Sequence, residues 1–477
     1  MPFLPRRRRR SSVVPPYPRQ LPGARRVQVP LSVVPAPRRA LNAGLVFSGG
    51  FATLIAVGTV LLMLPISQAE GNWTPLLDAA FIAVSAACVT GLVVVDTGTY
   101  WSFFGQLVMA ALVQVGGFGF MILSTFLLRL AGKRTSLRER LLLQESLGGS
   151  GVGSALTLAR RVLLFTVVVE GIGAAILTVA FLQYQPLGTA IWWGIFHAIT
   201  AFNNAGFDLT GGYQSMVPFA DAPLVLLPLS LLVILGSLSY GVAEDIVRRR
   251  SFTRLTLDSK LVLVVSMGLL VGGTLLLLFT ERLNGSTFQP MPFWMQALNA
   301  FFHSAVARSA GFNSVDLAAV TDGGLLVLIM LMLIGGSAGS TAGGIKVQTL
   351  GILLSATASA VRGLPDVIAF QRRVPFPDVL RAIAVTVLSF ALVFLATFLL
   401  GLTSTQPFLR ELFEVVSAFA TAGMSTGLSV ESSPFGRLIL MIIMFIGRLG
   451  PLTLALALAE REHGSPLRWP AATVRIG

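Results

Sequence analysis

The chain has 477 residues, of which 54% are hydrophobic and only 12% charged, with a mean hydropathy of +0.79. Soluble domains carry about a quarter charged residues, so this composition excludes an ordinary soluble fold and points to lipid. The single cysteine, Cys88, excludes an internal disulfide, a c-type haem and a cysteine-based zinc site.

The net charge of +14 does not form a nucleic-acid surface, because ten of the 35 Lys+Arg residues crowd into residues 1–40. That Pro- and Arg-rich stretch has no apolar periodicity and reads as a disordered basic tail. It lacks the apolar core and cleavage site of a signal peptide. It either touches anionic cytoplasmic lipid or serves, more simply, as an orientation signal.

Eight apolar runs follow, near 42–65, 103–130, 160–183, 222–246, 258–280, 323–358, 379–402 and 435–460. Each is long enough for a bilayer, which needs about 20 residues. Between the members of each consecutive pair lies a shorter apolar segment, beginning near Pro75, Leu187, Pro292 and Pro407. The order long, short, long recurs four times. The sixth run is interrupted by GGSAGSTAGGIK, residues 335–346, which a helix disfavours.

Charge fixes the orientation. The connections at 131–159, 247–257 and 359–378, with both termini, hold most of the arginines and lysines. The segments 66–102, 184–221, 281–322 and 403–437 carry four arginines against eleven acids. Positive residues mark the cytoplasmic side, so both termini are inside and the short segments dip in from outside. The acidic outer face concentrates cations at whatever opens there.

The short segments end alike: Ser85-Ala86-Ala87-Cys88-Val89-Thr90-Gly91-Leu92, Thr200-Ala201-Phe202-Asn203-Asn204-Ala205-Gly206-Phe207 and Ser417-Ala418-Phe419-Ala420-Thr421-Ala422-Gly423-Met424. The third, Ala305-Val306-Ala307-Arg308-Ser309-Ala310-Gly311-Phe312, keeps the glycine ending but not the Ser/Thr-Ala start. That departure falls on the pore helix rather than on the filter. Irregular backbone at membrane depth survives only where it is buried or lines water. A short helix that turns back at a glycine offers a cation its negative end and then main-chain carbonyls. Four matched copies predict four walls of one filter: Val89-Thr90-Gly91, Asn204-Ala205-Gly206, Ser309-Ala310-Gly311 and Thr421-Ala422-Gly423. The rival reading, close packing of re-entrant helices by small residues, fits a single copy better than four.

From about residue 41 onwards the chain resembles the Trk/Ktr/HKT superfamily of potassium transporters, and most of all its KtrB membrane subunits. The resemblance implies an all-α polytopic membrane protein. Four pseudo-symmetric membrane–pore–membrane repeats, 41–131, 155–250, 255–358 and 377–463, surround one central ion pore, with eight spans and four re-entrant pore helices. Residues 1–40 and 464–477 are cytoplasmic tails. It also implies potassium uptake across the cytoplasmic membrane, driven by the membrane potential, with potassium held by filter carbonyls and Gly91 suited to potassium selectivity. A sodium-preferring or poorly selective cation transporter is the alternative. Sodium is a candidate activator, no covalent cofactor is expected, and nucleotide enters only through a partner.

That partner is, by resemblance, a soluble nucleotide-binding regulatory ring (KtrA-like) beneath a homodimer. The basic loops 133–146 and 248–260 are either solvated anchors for anionic lipid heads or docking sites for the ring. Family members have an intramembrane gating loop where this chain has Gly335, Gly336, Ser337, Ala338, Gly339, Ser340, Thr341, Ala342, Gly343, Gly344, Ile345 and Lys346. Ser337, Ser340 and Thr341 can satisfy freed backbone groups, and Lys346 either closes the barrier or anchors the helix. Arg448, in FIGRLGP, matches a family arginine in the pore below the filter; otherwise it caps helix carbonyls beside Pro451. Arg308 is expected to turn from the pore and pair with an acid.

The remaining polar residues in apolar runs are Glu170, to which no role is assigned, and His197 and His303, which read as structural. Gln106, Gln114 and the run GGFGF at 116–120 read as helix-packing and hydrogen-bonding residues. An enzyme is the remote alternative. A phosphate loop needs GxxxxGK followed by Ser or Thr, whereas Lys346 follows Gly-Gly-Ile and precedes Val347. An HExxH motif is absent too.

Overall fold

The computed structural model describes residues 43–118 and 155–450. The expectations placed on the two tails, on 131–154, on Gly119 and Phe120 and on Pro451 lie outside these residues.

Among the described residues three uninterrupted helices are long and apolar enough to cross a membrane: α4 (Ala155–Phe181), α8 (Leu257–Glu281) and α12 (Phe376–Gly401). Their outer sides expose large apolar residues, such as Leu164, Val168, Ile172 and Val179 on α4 and Phe390, Phe394 and Phe398 on α12. Exposed apolar stripes of this extent suit contact with lipid. Helices α1 (Ala43–Met63), α3 (Phe103–Phe118) and α14 (Pro434–Leu449) occupy three further apolar runs.

Two runs are broken rather than continuous. The run at 222–246 forms α6 (Pro223–Ser237) and α7 (Tyr240–Arg249), bent by 95° across Leu238 and Ser239. The small residues of Gly236-Ser237-Leu238-Ser239 stand at the break, where Ser239 caps α7 by accepting from the Val242 amide. The sixth run forms α10 (Asp322–Leu333) and α11 (Val347–Val361), separated by the glycine-rich stretch.

The short segments form α2 (Leu76–Ala87), α5 (Leu187–Phe202), α9 (Phe293–Val306) and α13 (Phe408–Phe419). Each starts directly after a proline, Pro75, Pro186, Pro292 or Pro407, with φ between −54° and −63°. Proline fixes that angle and has no amide to lose at a helix start. Their C-terminal halves are the most buried part of the protein, with Ala83, Ala198, Ala305 and Ala418 fully enclosed. Each short helix packs on the long helix before it: α2 on α1, α5 on α4, α9 on α8 and α13 on α12.

Glycines allow the following helices to close in. A β-carbon at Gly116, Gly236 or Gly447 would lie within 2.0 Å of the carbonyl oxygen of Ala87, Phe202 or Phe419, the last residue of the short helix in the same unit. The third unit has its helix break at this level.

Candidate functional site

Three of the short helices end in the same way. In the first, the Val89 amide donates to Ala86 O and the Thr90 amide to Ser85 O. The same pair of bonds recurs at Asn204 and Ala205, and at Thr421 and Ala422. This is the Schellman closure, which needs a left-handed residue after the helix. Val89, Asn204 and Thr421 fill that position with φ of 57°, 60° and 48°. Valine and threonine are poorly suited to it, so the surrounding packing holds the conformation.

The third helix differs. Ser309 is not left-handed, and the Ala310 amide donates to Val306 O instead. The loss of the Ser/Thr-Ala start therefore reaches beyond the helix, contrary to the sequence-based expectation. The backbone of the segment differs as well, and Ala305 has no hydroxyl to offer it. In the first unit Ser85 Oγ accepts from the Gly91 amide at 3.1 Å, and in the second Thr200 Oγ1 donates to Phe207 O at 3.0 Å.

The four glycines nevertheless converge. Gly91, Gly206, Gly311 and Gly423 all have positive φ, from 68° to 93°. A β-carbon on Gly91 would lie 2.0 Å from Ala205 O, on Gly206 1.9 Å from Ala310 O, on Gly311 2.6 Å from Ala422 O, and on Gly423 2.1 Å from Thr90 O. The contacts run from first unit to second, third, fourth and back to first. They form a closed ring of backbone in which a carbonyl from each segment abuts the glycine of its neighbour.

The stretch 335–346 lies against the side of this ring formed by the helix C-termini. Its ends are paired: the Gly335 amide donates to Ile345 O at 2.9 Å and the Ile345 amide to Leu333 O at 3.1 Å. Thr341 Oγ1 accepts from Asn204 Nδ2 at 2.7 Å and reaches Gly236 O at 2.9 Å. The Gly343 amide donates to Ser309 Oγ at 3.0 Å, and a β-carbon on Gly343 would lie 2.1 Å from Thr421 Oγ1. The stretch therefore touches three of the four segments.

It is also held from the break between α6 and α7. The Ser337 amide donates to Ser237 O at 2.9 Å, the Ser239 amide to Ser337 Oγ at 2.8 Å, and Ser237 Oγ to Asn204 Oδ1 at 3.0 Å. Ser337 and Thr341 thus satisfy backbone groups. Ser237 and Ser239 escape a reading of the sequence, although the small-residue run 236–239 inside an apolar span is a usable signal.

Arg448 joins this cluster. Its guanidinium donates to Thr341 O, and to Gly116 O at 2.6 Å, linking the stretch to the ends of α3 and α14. Lys346 turns back, with Nζ donating to Ala342 O at 2.5 Å. Arg308 does not meet the expectation of an acidic partner. It is 2% exposed, and its Nε and one terminal nitrogen have no hydrogen-bond partner among the described residues. His197 bridges Trp193 O and the Leu209 amide, and His303 bonds Asn299 O, as structural histidines do.

Beyond the ring, Asp96 accepts from the Gly98 amide at 3.0 Å and from the Gly212 amide, stitching the first and second loops together. Asp208 stands nearby, two residues after Gly206. Desolvation by its surroundings, with the Asp96 charge adding, pushes its carboxyl up to about 7. Several outer acids are committed to structural contacts. Asp78 pairs with Arg437 at 2.5 Å, Glu281 accepts from Asn284 and Thr287, and Glu414 from Ser425 and Ser429.

The sequence matches the TrkH family of cation transport proteins over residues 50–466. It is 37% identical over 429 residues to the Ktr system potassium uptake protein B of Bacillus subtilis (strain 168), covering 90% of this chain and 95% of the relative. The protein of the same description from Vibrio alginolyticus is 41% identical, with 90% and 93% covered. The potassium/sodium uptake protein NtpJ of Enterococcus hirae is 35% identical, with 92% and 98% covered. The fold is similar to the crystal structure of the potassium transporter TrkH from Vibrio parahaemolyticus, with a TM-score of 0.69, 17% identity, and 89% and 86% of the two chains covered. The chain is a multi-pass membrane protein and belongs to the TrkH family of cation transport proteins.

Proposed function

We propose that this protein takes up potassium across the cytoplasmic membrane. The ion passes through the ring at Gly91, Gly206, Gly311 and Gly423 and then past the stretch 335–346. The observation that carries this reading is the closed ring itself: four segments in cyclic contact, each contributing a carbonyl beside its neighbour's glycine. Carbonyls of Val89–Thr90, Asn204–Ala205, Ser309–Ala310 and Thr421–Ala422 would replace part of the hydration shell. Inward movement of a cation gains about 2.3 kcal/mol per 100 mV when the interior is negative.

The repeats 41–131, 155–250, 255–358 and 377–463 each supply one wall. The stretch 335–346 acts as gate, with Arg448 holding it closed through Thr341 and placing positive charge in the path. The positive loops face the cytoplasm with both termini. By family resemblance two copies stand on a soluble nucleotide-binding ring, and anionic lipid meets the basic loops. Sodium acts as an activator in this reading, in keeping with the potassium/sodium description of the Enterococcus hirae relative.

Potassium flux into vesicles containing the purified protein tests the proposal. Potassium-selective uptake is expected. A protein that passes no cation at any ratio of regulatory partner refutes transport, and one that passes sodium as well as potassium favours the poorly selective alternative.

A further inference from the structure

Glu170 is the acid for which the transport reading has no use. It lies within α4 at 8% exposure, and no basic side chain pairs with it among the described residues. Burying a carboxyl without a counter-charge is costly unless hydrogen bonds satisfy it. Here two amides do so. Gln114 Nε2, on α3, donates to one oxygen at 3.0 Å, and Asn203 Nδ2 donates to the other at 2.8 Å. Asn203 also donates to Gln114 Oε1 at 2.9 Å and shares its two protons with Ile199 O at 3.0 Å, so the three side chains close a triangle anchored on the backbone of α5.

The placement of Asn203 gives the triangle its meaning. Asn203 is the C-cap of α5 and directly precedes Asn204, the left-handed residue that starts the second filter segment. Asn204 reaches to Thr341 and Ser237, whereas Asn203 reaches to α3 and α4. The matching caps in the first and fourth repeats are Cys88 and Ala420, which have no such tether. On α3, within one turn after Gln114, stand Gly116, whose carbonyl accepts from Arg448, and Gly117. A β-carbon on Gly117 would lie 1.9 Å from Asn203 Oδ1.

We infer that Glu170 is a positioning residue for ion discrimination. Through Asn203 and Gln114 it fixes the second filter segment against the inner helix of the first repeat. The inference rests on the filter reading above. Each carboxylate oxygen accepts from an NH2 group, so an amide at position 170 can keep only one of the two bonds. The other becomes a contact between two donors, and the cap of α5 shifts. Moving the carboxylate to position 114 instead keeps the triangle: it accepts from Asn203 and from the new amide at 170, whose oxygen accepts the second Asn203 proton.

The test uses the full-length protein in proteoliposomes, with potassium and sodium uptake and thermal unfolding measured for Glu170→Gln and for the exchange Glu170→Gln with Gln114→Glu. The single variant is expected to lower the potassium-to-sodium ratio about tenfold, the scale of one lost buried hydrogen bond, with the exchange restoring it to within about twofold. A folded single variant with the wild-type ratio overturns the inference, as does a folded exchange variant without recovery. Failure of both to fold makes Glu170 a folding residue and overturns it as well. If the single variant alone fails to fold, the exchange variant decides. A wild-type protein with no potassium preference instead removes the filter reading on which the inference stands.

Discussion

Replacing Gly91 with serine tests the ring where its first and second segments meet. The added β-carbon would sit 2.0 Å from Ala205 O and 3.1 Å from its carbonyl carbon. Ordinary contact begins at 3.4 Å, so oxygen and β-carbon must separate by 3.4 − 2.0 = 1.4 Å. Both partners are backbone, and no flexible side chain can absorb the movement. The φ of 93° adds about 1–2 kcal/mol for an L-residue. Because each segment abuts the next, the displacement passes to Gly206 and Ala310 rather than stopping at Ala205. Carbonyls moved by more than an ångström no longer match the ion they replace water around. Discrimination between potassium and sodium is therefore expected to fall by about tenfold or more, equivalent to about 1.4 kcal/mol. The assay compares potassium and sodium uptake in proteoliposomes at matched protein content. Gly268→Ala is the control, since a β-carbon there meets nothing within 4 Å. A folded Gly91→Ser protein with the wild-type ion ratio refutes the argument.

Three further outcomes follow from the same geometry. Arg448→Ala frees Thr341 O and Gly116 O and removes a positive charge from the path; potassium flux should rise about tenfold for each 1.4 kcal/mol of closed-state stability lost, and unchanged flux in folded protein sinks the contact's gating role. Deleting residues 338–341 removes the contacts of Thr341 with Asn204 and Gly236 while keeping the paired ends at Gly335 and Ile345; flux should rise and depend less on a regulatory partner, and a folded deletion with normal flux and regulation excludes the gate. Uptake should weaken as external pH falls through about 7, where Asp208 takes a proton and the outer mouth loses a negative charge; Asp208→Asn should abolish that step at a uniformly low rate, and a variant that keeps the step assigns it to another group.

The parts of the site that are legible in the sequence are those carried by local chemistry. Proline before each short helix and glycine after it are local backbone demands, so both ends of α2, α5, α9 and α13 can be read directly. The unwound stretch 335–346 is equally visible, because five glycines in twelve residues cannot sustain a helix. What cannot be read is who meets whom. Ser237, Ser239, Asn203 and Glu170 can be noticed as polar residues in apolar runs, but their roles come from partners as far as 100 residues away. The break at 238–239 has no proline beside it and its two flanking glycines, Gly236 and Gly241, do not lower the run's hydropathy, so a hydropathy reading passes over it. Arg308 fails for a different reason. A buried guanidinium implies a partner by charge alone, but whether an acid stands within reach is a tertiary fact.

The third repeat shows how one local departure can be tied to the proposed gate. In the first and second repeats the hydroxyl at the start of the motif is spent on the filter loop itself, Ser85 on Gly91 and Thr200 on Phe207. Ala305 cannot do this, and Ser309 does not take up the left-handed conformation of Val89, Asn204 and Thr421. Its own hydroxyl is then available, accepting from the Gly343 amide at 3.0 Å and lying 3.4 Å from Thr421 O. The repeat that departs from the filter pattern is thus the one whose inner run carries the glycine-rich stretch, and a residue of the departing segment receives that stretch. In the other three repeats a glycine of the inner helix, Gly116, Gly236 or Gly447, packs against the end of its own pore helix. In the third that place is given up to a loop which reaches across to the second and fourth. Fourfold backbone symmetry at the glycines and broken symmetry one layer below them are therefore parts of one arrangement, as the proposed function requires: a filter ring needs four like walls, whereas a plug needs one wall that is different.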